Sequence, residues 1–287
     1  MLVILSSYAI TTLESLKRYM RITIDTEDDL LTDLINQITD KIERIARRKF
    51  MARDYRERIS GRGTSALVVN QRPIIYVDRV AYGNENAISI SATGFSSANI
   101  SVNELGVRLY SVSTAGTIIR TNLTHTAYPS SGNMATAIDA VSGWTATKLV
   151  DCSSYDLNPA NFGCLYQTGY LSWPDQDLTI GMIDQAAGII HLISANDPFS
   201  PSRIGSQKGD LNYLACYNAG YATIPDFLIQ LCHEACANGY NKGKSNRTLK
   251  SESLGDWSYS IASDVELSED QISVLQNWSE IGLGGGS

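Results

Sequence analysis

The chain has little of what usually marks a reactive site. Its three histidines, His125, His191 and His233, sit in unrelated contexts. Its five cysteines (Cys152, Cys164, Cys216, Cys232 and Cys236) are odd in number and form no CxxC pair. That count argues against a secreted disulfide framework and fits reduced thiols. Cys232 and Cys236 fall on one helical face at i, i+4, with His233 directed elsewhere and no second ligand pair, so packing is the expected role. No GxSxG elbow is present. Gly61-x-Gly63 and Gly282–Gly286 lack the helix and the Lys-Ser/Thr pair of a phosphate loop. Asp175 and Asp177 read as solvated turn residues. No run approaches about 18 apolar residues, so no membrane-spanning helix is expected. The opening MLVILSSYAI lacks the basic n-region of a secretory leader. A protein made in the cytoplasm, with no catalytic residue, no cofactor and no metal, is the expectation.

What is present is an ordinary globular composition, 43% hydrophobic and 18% charged, in a chain long enough for one or two domains. The net charge of −7 argues against wholesale nucleic-acid binding. The charge is nevertheless uneven. Residues 41–62 hold nine basic side chains against Glu43, Asp54 and Glu57, a local balance of +6 that leaves −13 on the rest. Two readings stand for this window. Its charges complement a helix C-terminus and a solvated strand, or they face phosphates. Arg44, Arg47, Arg48 and Lys49 are the candidate DNA-channel residues.

The periodicity predicts an α+β chain. A T-x-x-E box at Thr11 opens a helix to about Met20, and a second box at Thr26 opens one over 27–49. Leu31, Leu34, Ile35, Ile38, Ile42 and Ile45 form the stripe of the second. Period-two runs at 55–59, 66–69 and 74–82 read as strands. Residues 85–205, rich in Ser, Thr, Gly and Asn, read as an inserted β-rich unit. It has strands at 88–92, 107–112 and 117–120, a helix at 134–141, a strand at 144–150, a long loop at 151–177 and a strand pair at 178–194 turning at 185–188. Residues 196–210 read as a linker. A third strong helix opens at Thr223 with Pro225 in its first turn. Residues 249–261 alternate around Gly255 as an exposed arm, and 267–278 is a short amphipathic helix. The expected organisation is a helical core from 1–84 and 206–262, an inserted domain at 85–205, and a tail with a short helix at 263–287.

TTLESLKRYMRI followed by DTEDDLLTDLINQITDKIERIARRKF, then RPIIYVDRVAYG, YNAGYATIPDFLIQLCHEACANGYN and LKSESLGDWSYSI, resembles in that order the head–tail connector (adaptor, head-completion) proteins of long-tailed bacteriophages. The resemblance implies a small helical bundle with a hairpin that forms a ring, typically of twelve copies, beneath the portal in the virion neck. Its partners would be other copies of itself, the portal protein, a tail terminator or stopper protein, and genomic DNA passing through the lumen, with no membrane. Family members are much shorter, so the role of 85–205 is not inherited.

The segment after Asn246 has apolar residues with little local cover. Leu249, Leu254, Trp257, Tyr259, Ile261, Ile272, Leu275 and Trp278 are therefore candidates for docking on the portal or another subunit, against folding back on their own bundle. Two other classes remain. One is a carbohydrate- or host-surface-binding module using Trp144, Tyr155, Tyr166, Tyr170 and Trp173. The other is an enzyme of the capsid or cell wall.

Overall fold

The computed structural model describes residues 3–193, 206–244, 251–254, 257–260 and 267–280. It is an α+β chain, as the sequence pattern implied. The first helix, α1 (Leu13–Met20), is capped by Thr12, whose hydroxyl accepts from the Ser15 N–H. The cap thus falls one residue later than expected, and Thr11 Oγ1 is instead 2.7 Å from His233 Nε2. The second helix, α2 (Asp28–Ala46), has Glu27 at its N-cap with no side-chain bond, so the box at Thr26 does not form. It also stops three residues short of the expected Lys49. Arg47 turns left-handed (φ 50°), and the Arg47 and Arg48 N–H groups close on the Arg44 and Glu43 carbonyls.

The strands that follow are β1 (Arg53–Gly61), β2 (Ala66–Val68) and β3 (Ile74–Tyr82). Next come β4 (Glu85–Ala92), β5 (Phe95–Asn103), β6 (Gly106–Ser113) and β7 (Ile118–Thr124), then α3 (Ser131–Asp139) and β8 (Trp144–Lys148). A 3-10 turn at Ser154–Asp156 leads to β9 (Ala160–Gly163) and β10 (Gly169–Trp173). The chain continues through β11 (Gln176–Asp177), β12 (Ile180–Asp184), β13 (Ile189–Leu192) and β14 (Gly209–Ala219). It then forms α4 (Asp226–Lys244), β15 (Ser251–Leu254), β16 (Trp257–Ser260) and α5 (Glu269–Glu280). Two expectations are corrected here. Residues 151–177 are not one long loop, because they supply β9, β10 and β11. The strand β5 had no counterpart in the sequence reading, since its inward residues Ala98, Ile100 and Val102 alternate with serine and asparagine.

Three apolar clusters organise these elements. The first is helical. Leu16 of α1, Leu31, Ile35, Ile38 and Ile42 of α2, Leu228, Leu231 and Ala235 of α4, and Leu275 of α5 are buried together. Helices from opposite ends of the sequence therefore close on one another. Burying the four α2 side chains contributes roughly 6–12 kcal/mol as an upper estimate. The second cluster lies under the sheets β1-β14-β3-β11 and β12-β13-β2 and centres on Ile74, Val80, Ile190, Tyr213 and Tyr217. The third fills the space between α3 and the sheets β10-β4-β8 and β7-β6-β5-β9, around Ile88, Ile90, Ile100, Leu109, Met134, Ile138 and Trp144.

The chain enters the third unit at β4 and leaves it at β10, and these two strands pair, with Trp173 opposite Glu85. Immediately beyond, Gln176 pairs with Tyr82. Gly83 sits at this double crossing with φ 122°, where a Cβ would lie 2.1 Å from an Asp175 carboxylate oxygen, so glycine is required there. Strand β13 then pairs with β2. We therefore propose that the inserted unit closes near Trp173 and that residues 176–219 belong with the central sheet.

Candidate functional site

The end of α2 and the start of β1 hold the basic window, and most of it is used internally. Glu43, with 2% side-chain exposure, accepts from Lys49 Nζ at 2.6 Å and Arg53 Nη2 at 2.8 Å. It also accepts from the Phe50 N–H at 3.3 Å. The Lys49 N–H donates to Gln71 Oε1, the Gln71 N–H donates to the Tyr217 hydroxyl, and that hydroxyl donates to Glu57. Glu57 in turn accepts from the Asn70 N–H at 3.0 Å. Burial raises the pKa of Glu57 and of Tyr217. The chain of bonds ties the helix end to the 69–72 loop and the sheet. Arg48 donates to the Arg72 carbonyl and lies over the rings of Phe50 (5.5 Å) and Tyr221 (5.9 Å). Burial lowers its pKa.

Of the four proposed channel residues, Arg48 and Lys49 are thus bound within the fold. Arg44 and Arg47 are exposed. The two share the rim of a groove of about 350 Å³ with Asp40, Glu43, Arg48, Lys49 and Gln71. The groove has cations in excess and an open mouth, so what it can do is attract an anion such as a phosphate.

Three further arginines, Arg56, Arg58 and Arg79, reach the 156–158 segment. Arg58 donates to Asn158 Oδ1 at 2.7 Å and to the carbonyls of Asp156 and Leu157, and its burial pushes its pKa down to about 10. Arg56 and Arg79 approach the nearly buried Asp156 carboxylate at 3.3 Å and 3.0 Å. Arg79 also pairs with Asp177 and donates to the Pro174 carbonyl. Arg56 and Arg79 are brought side by side because both pair with Cys216 across β14. This clasp escaped the sequence reading, which treated Asp156 as a loop residue.

The docking candidates divide. Leu275 is fully buried in the helical cluster and Ile272 packs against it, so these two fold back on their own bundle. This corrects their assignment to an arm free for another subunit, the reason being that α5 lies against α2. Leu254, Trp257 and Tyr259 lie on the backbone of the hairpin β15–β16, with Leu254 opposite Trp257. Trp278 lies in the last turns of α5. Leu249 and Ile261 fall outside the described residues.

The remaining polar clusters are structural in form. His125 is buried, with Nε2 3.0 Å from the Asn103 carbonyl and Nδ1 3.2 Å from Ser154 Oγ, which itself donates to the Tyr128 carbonyl at 2.6 Å. A serine with its proton already committed to a carbonyl is not an activated nucleophile. His233 lies beside Tyr19, with 5.0 Å between ring centroids. Burial lowers both histidine pKa values. Cys232 and Cys236 are fully buried, and their mutual hydrogen bond together with burial raises the Cys232 thiol well above its usual value. Among the described residues no three His, Cys, Asp or Glu side chains converge as a metal site, and no helix is long and apolar enough to cross a membrane. Of the aromatics considered for glycan binding, Trp144 is core and Trp173 donates to Glu85, leaving Tyr155, Tyr166 and Tyr170 exposed.

Residues 10–110 match the family model described as phage gp6-like head-tail connector protein. Over that segment, about a third of its length, the chain is similar to the gp6-like connector family. The matched stretch runs from α1 through the helix pair, the basic window and β3, and extends into the inserted unit as far as β6. A solved chain described as "Neck of empty GTA particle computed with C6 symmetry" aligns with 97% of this chain and 94% of its own length, at 10% identity and a TM-score of 0.36. No curated protein matches the chain. The gp6-like segment contains Arg44 and Arg47 but neither α4 nor the hairpin β15–β16.

Proposed function

We propose that the protein is a structural head–tail connector of a phage-like particle. In this reading copies of the chain, twelve of them, form a ring in the neck between the portal and a tail terminator or stopper protein. DNA passes through the lumen, recognised through its phosphates without regard to sequence. The observation that carries the reading is the gp6-like match over the α1–α2 pair, together with the return of α4 from the far end of the sequence to complete that pair's core. A core closed across a long insertion suits a hub that must stay rigid while presenting separate surfaces to several neighbours.

Arg44 and Arg47 supply the exposed cations such a lumen needs, and the hairpin β15–β16 supplies the arm. Two strands alone are marginal in water, which fits a segment completed by contact with the portal or an adjacent subunit. The test is reconstitution. Purified protein added to DNA-filled, tailless heads should bind at the portal vertex, appear there as a ring in cryo-microscopy, and reduce DNA leakage. Heads that remain bare and leaky, with normal necks formed by particles lacking the protein, would refute the connector role.

A further inference from the structure

The inserted unit has one sheet edge without the usual protection. Strand β7 is the outer strand of the sheet β7-β6-β5-β9, and its seven residues pair with β6 in unbroken register. In an antiparallel pair, alternate residues of an outer strand direct N–H and C=O groups away from the sheet. Among the described residues, no backbone hydrogen bond of Ile118–Leu123 reaches any element besides β6. Natural edges are blunted by lysine, proline, bulges or charge. The edge strand β1 has five charged residues and a register shift between Ile59 and Gly61. The edge strand β8 has Lys148, and β10 and β12 each have a register shift. β7 has no lysine, no proline and no register shift. Its single charge, Arg120, lies 5.6 Å from the Tyr110 ring on the sheet face. Ile118 and Ile119 are 51% and 42% exposed.

The exposure of Ile119 is informative because its register partner is the buried Ser111, and the same face continues through Thr121 and Leu123 opposite Leu109 and Val107. Ile119 therefore belongs to the core-facing side of the sheet, at a point where this chain's core has ended. The strand's sequence supplies its own complement. Two antiparallel copies related by a twofold axis at Thr121 pair over the five residues Ile119–Leu123, beyond which the Thr124 carbonyl is taken by the Ala127 and Tyr128 N–H groups. Ile119 then meets the second copy's Leu123, Arg120 meets Asn122, and Thr121 meets itself. Centring the axis one residue earlier would oppose two arginines, which is destabilising.

We propose that β7 is a self-pairing edge that joins two copies of this chain into one eight-stranded sheet, with both core faces on the same side. The contact is independent of the connector reading. It closes after two copies and builds no ring.

The test uses the full chain. Light scattering should report a dimer, and Ile119→Lys, an exposed position, should halve the mass while leaving the circular dichroism and thermal midpoint unchanged. Opposite Cβ atoms in such a pair lie about 4.5–5.5 Å apart, close to the reach of a disulfide. Thr121→Cys should therefore form a covalent dimer under mild oxidation, while wild type and Asn122→Cys, which faces Arg120, should not. A strictly monomeric wild type would overturn the proposal. So would a dimer that Thr121→Cys fails to cross-link or that survives Ile119→Lys.

Discussion

Glu43 offers the most direct way to separate the two readings of the basic window. Glu43→Ala removes the acceptor shared by Lys49 Nζ, Arg53 Nη2 and the Phe50 N–H. The carboxylate side chain is 2% exposed and that of Arg53 is 18% exposed, so their separation leaves a cation with little access to water. Breaking such a buried pair costs about 3–5 kcal/mol. Lys49, at 41%, can be rehydrated and adds little. The expected loss is therefore near the lower limit, about 3 kcal/mol. At roughly 2–4 °C per kcal/mol for a chain of this size class, the thermal midpoint should fall by roughly 6–12 °C. Glu43→Gln keeps the volume and an acceptor and should lose only about 1–2 kcal/mol. Circular dichroism melts and urea titrations of the full chain measure both. A Glu43→Ala variant within about 1 kcal/mol of wild type, with increased affinity for duplex DNA, would refute the internal role and make Lys49 a DNA contact.

Four further outcomes follow from the geometry. Charge reversal at Arg44 and Arg47 should leave the melting curve unchanged but lower DNA retention in reconstituted particles, with the salt dependence of DNA binding reduced by about 0.9 for each phosphate left without its cation. Leu275→Ala should destabilise the chain by about 2–5 kcal/mol, whereas Trp257→Ala should leave the melt unchanged and weaken attachment to heads. Asp156→Ala should remove the acceptor that Arg56 and Arg79 share, and limited proteolysis should then cut between 149 and 175 faster than in wild type, with the helical core unaffected. Burial holds His125 and His233 below the ordinary imidazole value. The unfolded chain therefore takes up protons first, and their contribution is present above about pH 6.5 and lost as the pH falls below it. Thermal midpoints taken across that range should drop less steeply in the double variant His125→Gln, His233→Gln.

The helical core was legible because its signal is local. The 3.6-residue stripe from Leu31 to Ile42 needs no knowledge of what it packs against, and the structure buries Leu31, Ile35, Ile38 and Ile42. The end of α2 was not legible, since it turns on Arg47 in a left-handed conformation that sequence usually signals with glycine. The β-rich unit was half legible. β3 ran where its β-branched residues placed it, but β5 has few large apolar residues to mark the alternation, and β9 and β10 are only four and five residues long. The basic window shows the deeper limit. Its charges could be counted, but their partners could not be located. Glu43 looked like any solvated helix acid, and Asp156 lies 100 residues from Arg56 and 77 from Arg79. Whether a cation faces solvent or closes a buried pair is decided by neighbours that no window of sequence contains.

The double crossing at Gly83 has a consequence for how such a chain could arise. Tyr82 and Gln176 already face each other in antiparallel register, so a two-residue turn is all that would be needed to rejoin the hub after excising everything between them. On the division proposed above, the ninety-odd intervening residues are an annex with a single doorway: they lengthen the polypeptide without rerouting it. An ancestor could have gained or shed them in one recombination event, because closing even a long loop at a fixed pair of ends adds only slowly to the entropy of folding.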